Sequence, residues 1–444
     1  MSTRKRMKQE VRSQESEVRM KTTSMDAPAA KTSGAMFNWI ATVVFFVGIC
    51  NTSWASTYFV GAPNTPCPGA NFSTIGAALN VALAGDTIEV CPATYPEQVV
   101  ITKPVNLVGI AWNGVGRAVI QPTTLTANSL GFIAVVTVAN TGGVTISNLA
   151  IDASNNTATG CTVSLSGIHF YNSSGSVLNS SISGTQLPTP TSCTTLFPGN
   201  GAGIQADQSG TGGSYTITVQ GNSIHDFSRN GVLVNGAGQN ATVSGNSITG
   251  IGPSTGVNQF GVFLANGAVG QVTGNSITQG NCGTITIANC RPIRSEGVVL
   301  RSVGSGVVIA NNVISNVQAG VFVNGATGPQ VTGNIVSNVD AFNGIHIQAS
   351  VGGLYSGNMV FHVGPLTTDS SSAEEGCGIQ DVSGSGSSAN TIQLNWVNDA
   401  YCGVAYVTSD ILGPNYLNNT LYYTLNGDNY PVSFPAPVEP SGQL

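Results

Sequence analysis

The sequence is poor in charge. Only 8% of its 444 residues are Asp, Glu, Lys or Arg, against about a quarter in ordinary globular proteins. It also lacks the Cys-x-x-Cys spacing of zinc sites, and beyond the first hundred residues no stretch has the apolar period of a helix. Polarity comes instead from Ser, Thr, Asn and 56 Gly, with Val and Ile between them. That composition is typical of a β-rich, turn-rich chain.

The few positive charges are concentrated at the start of the chain. Eight of the 14 Lys and Arg residues precede residue 35, and the apolar run FNWIATVVFFVGIC (37–50) follows them. Ser53-Trp54-Ala55 then supplies a small-x-small cleavage pattern, so we predict that residues 1–55 are a signal peptide with an extended basic n-region. The apolar run is short for a membrane span. No stable span is therefore expected after cleavage, with an uncleaved anchor as the alternative.

The remaining chain is strongly acidic. Removal of residues 1–55 leaves six Lys and Arg against sixteen Asp and Glu, a net charge of −10. No patch of interleaved basic and aromatic residues offsets this balance. Nucleic acid is therefore not an expected partner.

Near-copies of one segment recur along the chain, among them TVQGNSI (218–224), TVSGNSI (242–248) and QVTGNSI (271–277). Each places an Asn between two apolar runs, and successive Asn residues are 22 to 37 positions apart, with a basal unit of 22–24. Ser180 and Leu149 fall in register upstream. The aligned residues are Asn222, Asn246, Asn275, Asn312, Asn334, Asn358, Asn395 and Asn419.

A second motif, Gly-apolar-x-apolar, alternates with the Asn segments, for example as GIHF (167–170), GVFL (261–264) and GIHI (344–347). A fixed period this short is typical of a solenoid. Because the units are β-branched and Leu is too rare for a leucine-rich repeat, we predict a parallel β-helix. Each Asn is expected at a bend, in a left-handed conformation, with its amide bonded to the Asn residues of the neighbouring coils.

The Asn ladder and the coil period resemble those of the pectate-lyase-like right-handed parallel β-helix superfamily, over roughly residues 57–425. The segment FSTIGAALNVALAGDTIEVCPATYPEQVVITKPVNLVGI (72–110) is similar to the opening of many members, pectin methylesterases among them. It also predicts a capping helix, with Ser73 as N-cap and Gly85 as its stop. The apolar face of that helix is Ile75, Ala78, Leu79, Ala82 and Leu83.

The predicted fold is therefore all-β, a single-stranded right-handed parallel β-helix with an N-terminal capping helix. Residues 56–125 form the cap and first coils, residues 126–425 the β-helix, and residues 426–444 a Pro-rich tail. Insertions leave the coil mostly just before the Gly motif, so their loops are expected on one side.

The same geometry pairs the eight cysteines that follow the signal peptide, because export permits disulfides. Cys377 and Cys402 each precede a Gly motif on consecutive coils. The predicted bridges are Cys67–Cys91, Cys161–Cys193, Cys282–Cys290 and Cys377–Cys402.

Side chains alternate along a strand, so the third and fifth residues of each Gly motif are expected to face outward. The outward rows and their loops mix aromatic rings, amides and charges, which suits a sugar chain. The predicted substrate-binding residues are His169, Tyr171, Asp207, Arg229, Phe263 and Phe322.

The superfamily resemblance also implies candidate chemistry. Lyases and epimerases of uronic-acid polymers need a cation beside the carboxylate and a base, and Arg301, with Arg294 and Glu296, and His346 are the candidates. Against this, NVD (338–340) is the only piece of the polygalacturonase signature present, and the catalytic Asp motifs of pectin methylesterases have no match. Calcium is possible as a cofactor, but no ligand cluster is visible, so neither a metal nor another cofactor is predicted.

Two hypotheses follow from the sequence. The first is an exported protein, secreted, periplasmic or on the cell surface, that binds an acidic polysaccharide along the Gly-motif strands, with processing of the bound chain as an open extension. The second is a non-catalytic, adhesin-like rod of the cell envelope whose loops bind a partner.

Overall fold

The computed structural model describes residues 55–62, 67, 69–114, 116–157, 164–187, 200–210, 212–252, 258–280, 295–340, 342–364, 376–383, 389–400, 402–406, 419–423 and 432–435. The chain divides into two units, residues 1–53 and 54–444, and every described residue belongs to the second. The predicted signal peptide, Arg294, and the cysteines at 161, 193, 282 and 290 lie outside the described residues.

The described residues form three β-sheets, in which each strand pairs with its counterpart one coil away. The Gly-motif sheet consists of Val99–Ile101, Ile133–Ala139, Leu165–Tyr171, Asn200–Asp207, Asn230–Asn235, Gln259–Ala265, Ser295–Arg301, Ala319–Asn324, Ile345–Gln348, Cys377–Asp381 and Cys402–Tyr406. The pre-ladder sheet, whose strands end just before the aligned Asn residues, consists of Thr57–Val60, Thr87–Val90, Asn106–Gly109, Val144–Ser147, Gly175–Leu178, Tyr215–Gln220, Gln239–Ser244, Val269–Thr273, Val308–Ala310, Gln330–Thr332, Leu354–Ser356 and Thr391–Gln393. The post-ladder sheet consists of Thr94–Tyr95, Val119–Ile120, Ala150–Asp152, Ser181–Ser183, Ser223–His225, Ser247–Thr249, Ser276–Thr278, Val313–Val317, Ile335–Val339, Met359–Val363, Trp396–Ala400, Thr420–Tyr423 and Val432–Pro435.

Each coil passes through the pre-ladder, post-ladder and Gly-motif sheets in that order. All described strand pairs are parallel except the last, in which Val432–Pro435 runs antiparallel to Thr420–Tyr423. The chain is a right-handed parallel β-helix, as the sequence predicts.

The core is a column of aliphatic side chains from the three sheets. The Gly of each Gly motif is required by close packing at the corner with the post-ladder sheet. A Cβ at Gly261 would lie 2.5 Å from the Cγ2 atom of Ile277 and 2.6 Å from the carbonyl oxygen of Gly297. No side chain fits at that distance, which explains why the motif begins with Gly.

The Asn ladder is continuous and buried. The Nδ2 atom of Asn246 donates to Oδ1 of Asn275 at 2.9 Å and to the carbonyl oxygen of Val219 at 2.9 Å. The same pattern connects Asn222 to Asn419 through every aligned Asn, and upstream the backbone N–H of Ser180 donates to Oδ1 of Asn222.

One expectation about the ladder is wrong. From Asn222 to Asn395, the left-handed residue is the one immediately before the ladder Asn, for example Gly245 with φ 63° or Asn311 with φ 56°. The preceding residue makes the bend, so the Asn is free to point its amide along the solenoid axis.

The capping helix spans Ile75–Val81 and is shorter than predicted. Its N-cap is Thr74 rather than Ser73. It ends before Gly85, and Leu83 is 61% exposed instead of packed. Two charged side chains satisfy its ends: the Glu97 carboxylate accepts from the first backbone N–H groups, and the Lys103 ammonium donates to the last carbonyl oxygens.

Cys67 and Cys91 form the predicted disulfide and connect the segment before the helix to the first coils. Cys377 is also disulfide-bonded. The backbone register makes Cys402 its neighbour on the next coil, which is the arrangement that the predicted Cys377–Cys402 bridge requires.

Candidate functional site

The outward side of the Gly-motif sheet carries rows of side chains that run along the solenoid axis. In each motif the second and fourth residues point to the core, as Val262 and Leu264 do, and the third points away from it, as Phe263 does. Backbone pairing aligns the third residues of successive coils, which confirms the predicted register. This third-position row consists of Thr137, His169, Gln205, Leu233, Phe263, Val299, Phe322, His346 and Gln380.

The third-position row is buried, although it faces away from the core. Its exposed fraction runs from 0% at His169 to 6% at His346. Among the described residues, cover comes from three phenylalanines outside the motifs: Phe132 over His169, Phe260 beside Phe263, and Phe342 over His346. The expectation of an open groove is therefore wrong for this row.

At the N-terminal end of the row, a carboxylate holds His169. The Nε2 atom lies 2.8 Å from Oδ1 of Asp207, and Gln205 donates to the other carboxylate oxygen at 2.6 Å. The Phe132 ring packs edge-on against the imidazole, at 4.3 Å between centroids, and lies 4.7 Å from the ring of Tyr171. With no exposed surface, His169 is positioned to orient Asp207 rather than to touch a ligand, whereas Tyr171 and Asp207 reach the surface.

In the middle of the face, two arginines lie over two phenylalanines. The guanidinium carbon of Arg229 is 5.7 Å from the centroid of Phe260, and that of Arg301 is 5.8 Å from the centroid of Phe263. The two rings are 5.1 Å apart, so the four side chains form one cluster. Burial and the positive charge of Arg301 lower the pKa of Arg229 to about 10, so Arg229 stays protonated at neutral pH.

Of the two arginines, Arg301 is exposed and Arg229 is buried. Arg301 belongs to the fifth-position row, where it follows Ala265 and precedes Asn324 and Gln348 on successive coils. The amide of Asn324 donates to Gln348 at 3.4 Å. Within the part of the chain that the structure describes, no carboxylate forms an ion pair with Arg301. A positive charge and two amides thus face solvent at the spacing of the coils, about 4.8 Å.

At the C-terminal end of the row, His346 is held by two amides and two rings. Its Nδ1 atom is 3.0 Å from Oε1 of Gln380 and 3.1 Å from Nδ2 of Asn343. The Phe322 ring stacks on the imidazole at 5.1 Å with an interplanar angle of 17°, and Phe342 lies 4.6 Å away. These contacts fix the ring but leave it only 6% exposed.

The structure brings together some predicted residues and separates others. Arg229, Phe263 and Arg301 are in one cluster, and Glu296 lies on the strand of Arg301, 2% exposed. His346 is two coils beyond Arg301, about 10 Å along the axis. His169, Tyr171 and Asp207 lie at the other end. Of the predicted catalytic residues, Arg301 and Glu296 therefore share one strand, His346 lies apart from them, and Arg294 is outside the described residues.

Sequence reasoning missed Phe132, Phe260, Phe342 and Asn343. Phe260 comes directly before Gly261 and Asn343 directly before Gly344, so the position preceding the motif was the missing signal. Groups of three or more metal-ligating side chains are absent from the described residues. None of the described helices combines the length and apolar character needed to cross a membrane.

Comparison with known proteins identifies the fold. A family model described as the right handed beta helix region matches residues 166–361. No curated protein sequence matches the chain.

Solved structures extend this similarity over most of the chain. The Dettilon tailspike protein gp208 is 14% identical over 77% of this chain and 62% of its own, with a TM-score of 0.51. The A-module of the mannuronan C-5 epimerase AlgE4 from Azotobacter vinelandii is 15% identical over 80% and 95%, with a TM-score of 0.48. A lacto-N-biosidase from Eubacterium ramulus is 13% identical over 78% and 60%, with a TM-score of 0.45. The chain thus spans 62% of the tailspike's length, and it has the right-handed parallel β-helix fold of pectate-lyase-like proteins.

Proposed function

We propose that this chain is an exported protein that binds an acidic polysaccharide along the outward side of its Gly-motif sheet. The observation that carries the proposal is the exposed guanidinium of Arg301, packed on Phe263 and followed by Asn324 and Gln348 on successive coils. A guanidinium matches the geometry of a sugar carboxylate, and side-chain amides match hydroxyl groups.

The electrostatics of the cluster support an anionic ligand. Burial, and after it the positive charge of Arg301, lower the pKa of Arg229, so the two guanidinium groups place positive charge of one sign at this part of the face, which favours an anionic ligand over a cationic one. Because the rings of Phe260 and Phe263 hold both guanidinium groups, little side-chain entropy is lost when the ligand binds.

The geometry favours binding over acid–base catalysis by the predicted histidines. His169 is fully buried and bonded to Asp207. His346 is 6% exposed, and its Nδ1 atom is engaged by Asn343 and Gln380. A general base must come within hydrogen-bond reach of the proton that it removes, and neither ring offers a free nitrogen at the surface.

Export is supported by the Cys67–Cys91 disulfide. Such bonds persist in oxidising compartments and are rare in the cytosol. The tailspike, the epimerase and the biosidase carry names that concern glycans or host surfaces, but at 13–15% identity their likeness shows the fold alone.

The test is a titration of the purified protein with alginate, polygalacturonate and the neutral polymer dextran by isothermal calorimetry. We expect saturable binding of an acidic polymer that weakens as salt rises, and no binding of dextran at this face. Arg301→Gln should weaken acidic binding about tenfold or more, since a charge-assisted hydrogen bond contributes roughly 1.5–3 kcal/mol.

Arg117→Gln is the matched control, because Arg117 is an exposed arginine next to the post-ladder sheet, where it donates to the carbonyl oxygen of Asn179. Its affinity for acidic polymers should equal that of the wild type. Equal losses in both variants would reduce the effect to net charge and contradict a site at Arg301. Ultraviolet absorbance from unsaturated chain ends, followed in the same mixtures, separates a lyase from a binding protein.

A further inference from the structure

The outward row of the post-ladder sheet changes character halfway along the solenoid. The residue that follows each ladder Asn faces away from the core, and backbone pairing stacks these residues in one row. It is serine in four coils, then apolar in four, and threonine in the last. The row reads Ser181, Ser223, Ser247, Ser276, Val313, Ile335, Met359, Trp396 and Thr420.

The apolar half of this row stays at the surface. Val313 is 46% exposed and Met359 is 41% exposed, in contrast to the buried third-position row of the Gly-motif sheet. Phe361 lies two positions after Met359 on the same strand, and Trp396 lies on the neighbouring strand. The ring centroids of Phe361 and Trp396 are 6.2 Å apart, at an interplanar angle of 56°. Trp396 and Phe361 are half-buried, so each is supported on one side and open on the other.

A polar pair borders these rings. The Nδ1 atom of His362 lies 2.6 Å from Oδ2 of Asp399, and both side chains are more than half exposed, at 57% and 54%. His362 and Asp399 adopt left-handed backbone conformations with φ 56° and 54°, which stack their side chains at the same corner of successive coils. Asn398 lies beside Phe361 in the strand register.

The described strands of this part of the surface carry no lysine or arginine. They are Val313–Val317, Ile335–Val339, Met359–Val363 and Trp396–Ala400. These strands therefore offer a polyanion no Lys or Arg to pair with, and they differ in ligand chemistry from the Gly-motif face, where two arginines lie over the rings.

We propose that Met359, Phe361 and Trp396, with His362, Asn398 and Asp399 at their edge, form a second binding site, for a neutral saccharide. The C–H face of a pyranose ring packs on aromatic rings, and its hydroxyl groups exchange hydrogen bonds with the carboxylate, the amide and the imidazole. A protein partner would have to cover the His362–Asp399 pair and remove it from water, at a cost that its contacts seldom recover. Sugar hydroxyls replace the water that hydrates it.

This site goes beyond the function proposed above, because it lies on another sheet and takes a ligand of different charge. The test uses the full chain and three neutral probes, cellohexaose, maltohexaose and mannohexaose, titrated by calorimetry. At least one probe should bind saturably. Trp396→Ser should weaken that binding about tenfold or more, since stacking on a tryptophan buries a large apolar area.

Serine at position 396 should be compatible with the fold, because the same row carries serine in four earlier coils. Phe361→Ser provides a second variant. Arg301→Gln is the matched control and should leave the affinity for the neutral probe unchanged, which also separates this site from the proposed acidic one. Failure of all three probes to bind, or unchanged affinity in Trp396→Ser and Phe361→Ser, would overturn the proposal. So would a dimer in sedimentation that becomes a monomer in Trp396→Ser, because the row is then an interface between two copies.

Discussion

The outward sides of the Gly-motif and post-ladder sheets are built by the same coils but have opposite character. The third-position row of the Gly-motif sheet contains histidines, amides and rings, yet no described member from Thr137 to Gln380 is more than 6% exposed. The post-ladder row contains Val313 and Met359, yet both are more than 40% exposed. Polar residues are covered on one side, and apolar residues are open on the other.

The difference shows that strand alternation predicts direction but not exposure. Alternation separates side chains that point to the core from those that point away. Whether the second group meets water depends on what packs around it. On the Gly-motif side, four members of the row pack with one another and with neighbouring apolar side chains in a second apolar cluster outside the core. That cluster consists of Leu233, Phe260, Phe263, Ala265, Val299 and Phe322, with Phe342 at its border.

Truncation of one large apolar side chain in each row gives the largest expected contrast. Phe263→Ala removes a side chain that is 3% exposed and leaves a cavity beneath Arg301, so we expect the free energy of unfolding to fall by about 3–4 kcal/mol. Met359→Ala should cost less than about 1 kcal/mol, because much of that side chain already meets water. Urea unfolding of both variants measures the difference. Similar costs would mean that the two outward sides are energetically alike.

A ladder amide provides the next largest effect. Asn275→Ala removes the bonds to Oδ1 of Asn312 and to Val243. It also leaves the backbone N–H of Asn246 and one N–H of its side-chain amide without an acceptor, while the other amide N–H keeps its bond to Val219. Each orphaned buried group costs roughly 1–3 kcal/mol, so we expect a loss of about 2–3 kcal/mol in total.

The control for Asn275 is Asn324→Ala on the fifth-position row, where one amide bond of 3.4 Å reaches Gln348 at the surface. Its loss should stay within about 0.5 kcal/mol. If the Asn324 variant were as unstable as the Asn275 variant, a ladder amide would contribute no more to the free energy of unfolding than a surface amide does.

The sequence predicts the solenoid because its signals are local and repeated. Each repeat contains a Gly that packs against the post-ladder sheet, as Gly261 does against Ile277, and an Asn that bonds to the next Asn. The spacing between this Gly and this Asn is nearly the same from coil to coil. The register follows from these two motifs, and with it the neighbours of His169, Phe263 and His346. A single sequence is sufficient for this part.

The site could not be predicted as fully, because its cover comes from outside the repeat. Phe132 and Phe342 lie in segments with no fixed position relative to the motifs, so nothing in the periodicity assigns them to His169 and His346. Phe260 does occupy a repeated position, but the corresponding residues of other coils are Asn230, Glu296 and Ala319. Such variation hides the role of the position.

The smallest expected effect sharpens the comparison on the post-ladder side. Leu394 comes immediately before ladder residue Asn395 and adopts φ 56°, where five other coils have Gly. A branched side chain in the left-handed region costs roughly 1–2 kcal/mol, and Leu394 is 57% exposed, so burial does not offset that cost. Leu394→Gly should therefore stabilise the fold by about 0.5–1 kcal/mol, after allowance for the flexibility of Gly in the unfolded chain.

The reciprocal change, Gly357→Leu at the same place one coil earlier, where φ is 66°, should destabilise the protein by a similar amount in thermal unfolding. If Leu394→Gly is instead destabilising, contacts of Leu394 with its surroundings outweigh the backbone strain. If Leu394→Gly stabilises the protein but weakens binding of the neutral probe, the strained leucine contributes to the proposed saccharide site at Trp396, two residues away. A stabilised variant with unchanged affinity would confine the saccharide site to the rings and the His362–Asp399 pair.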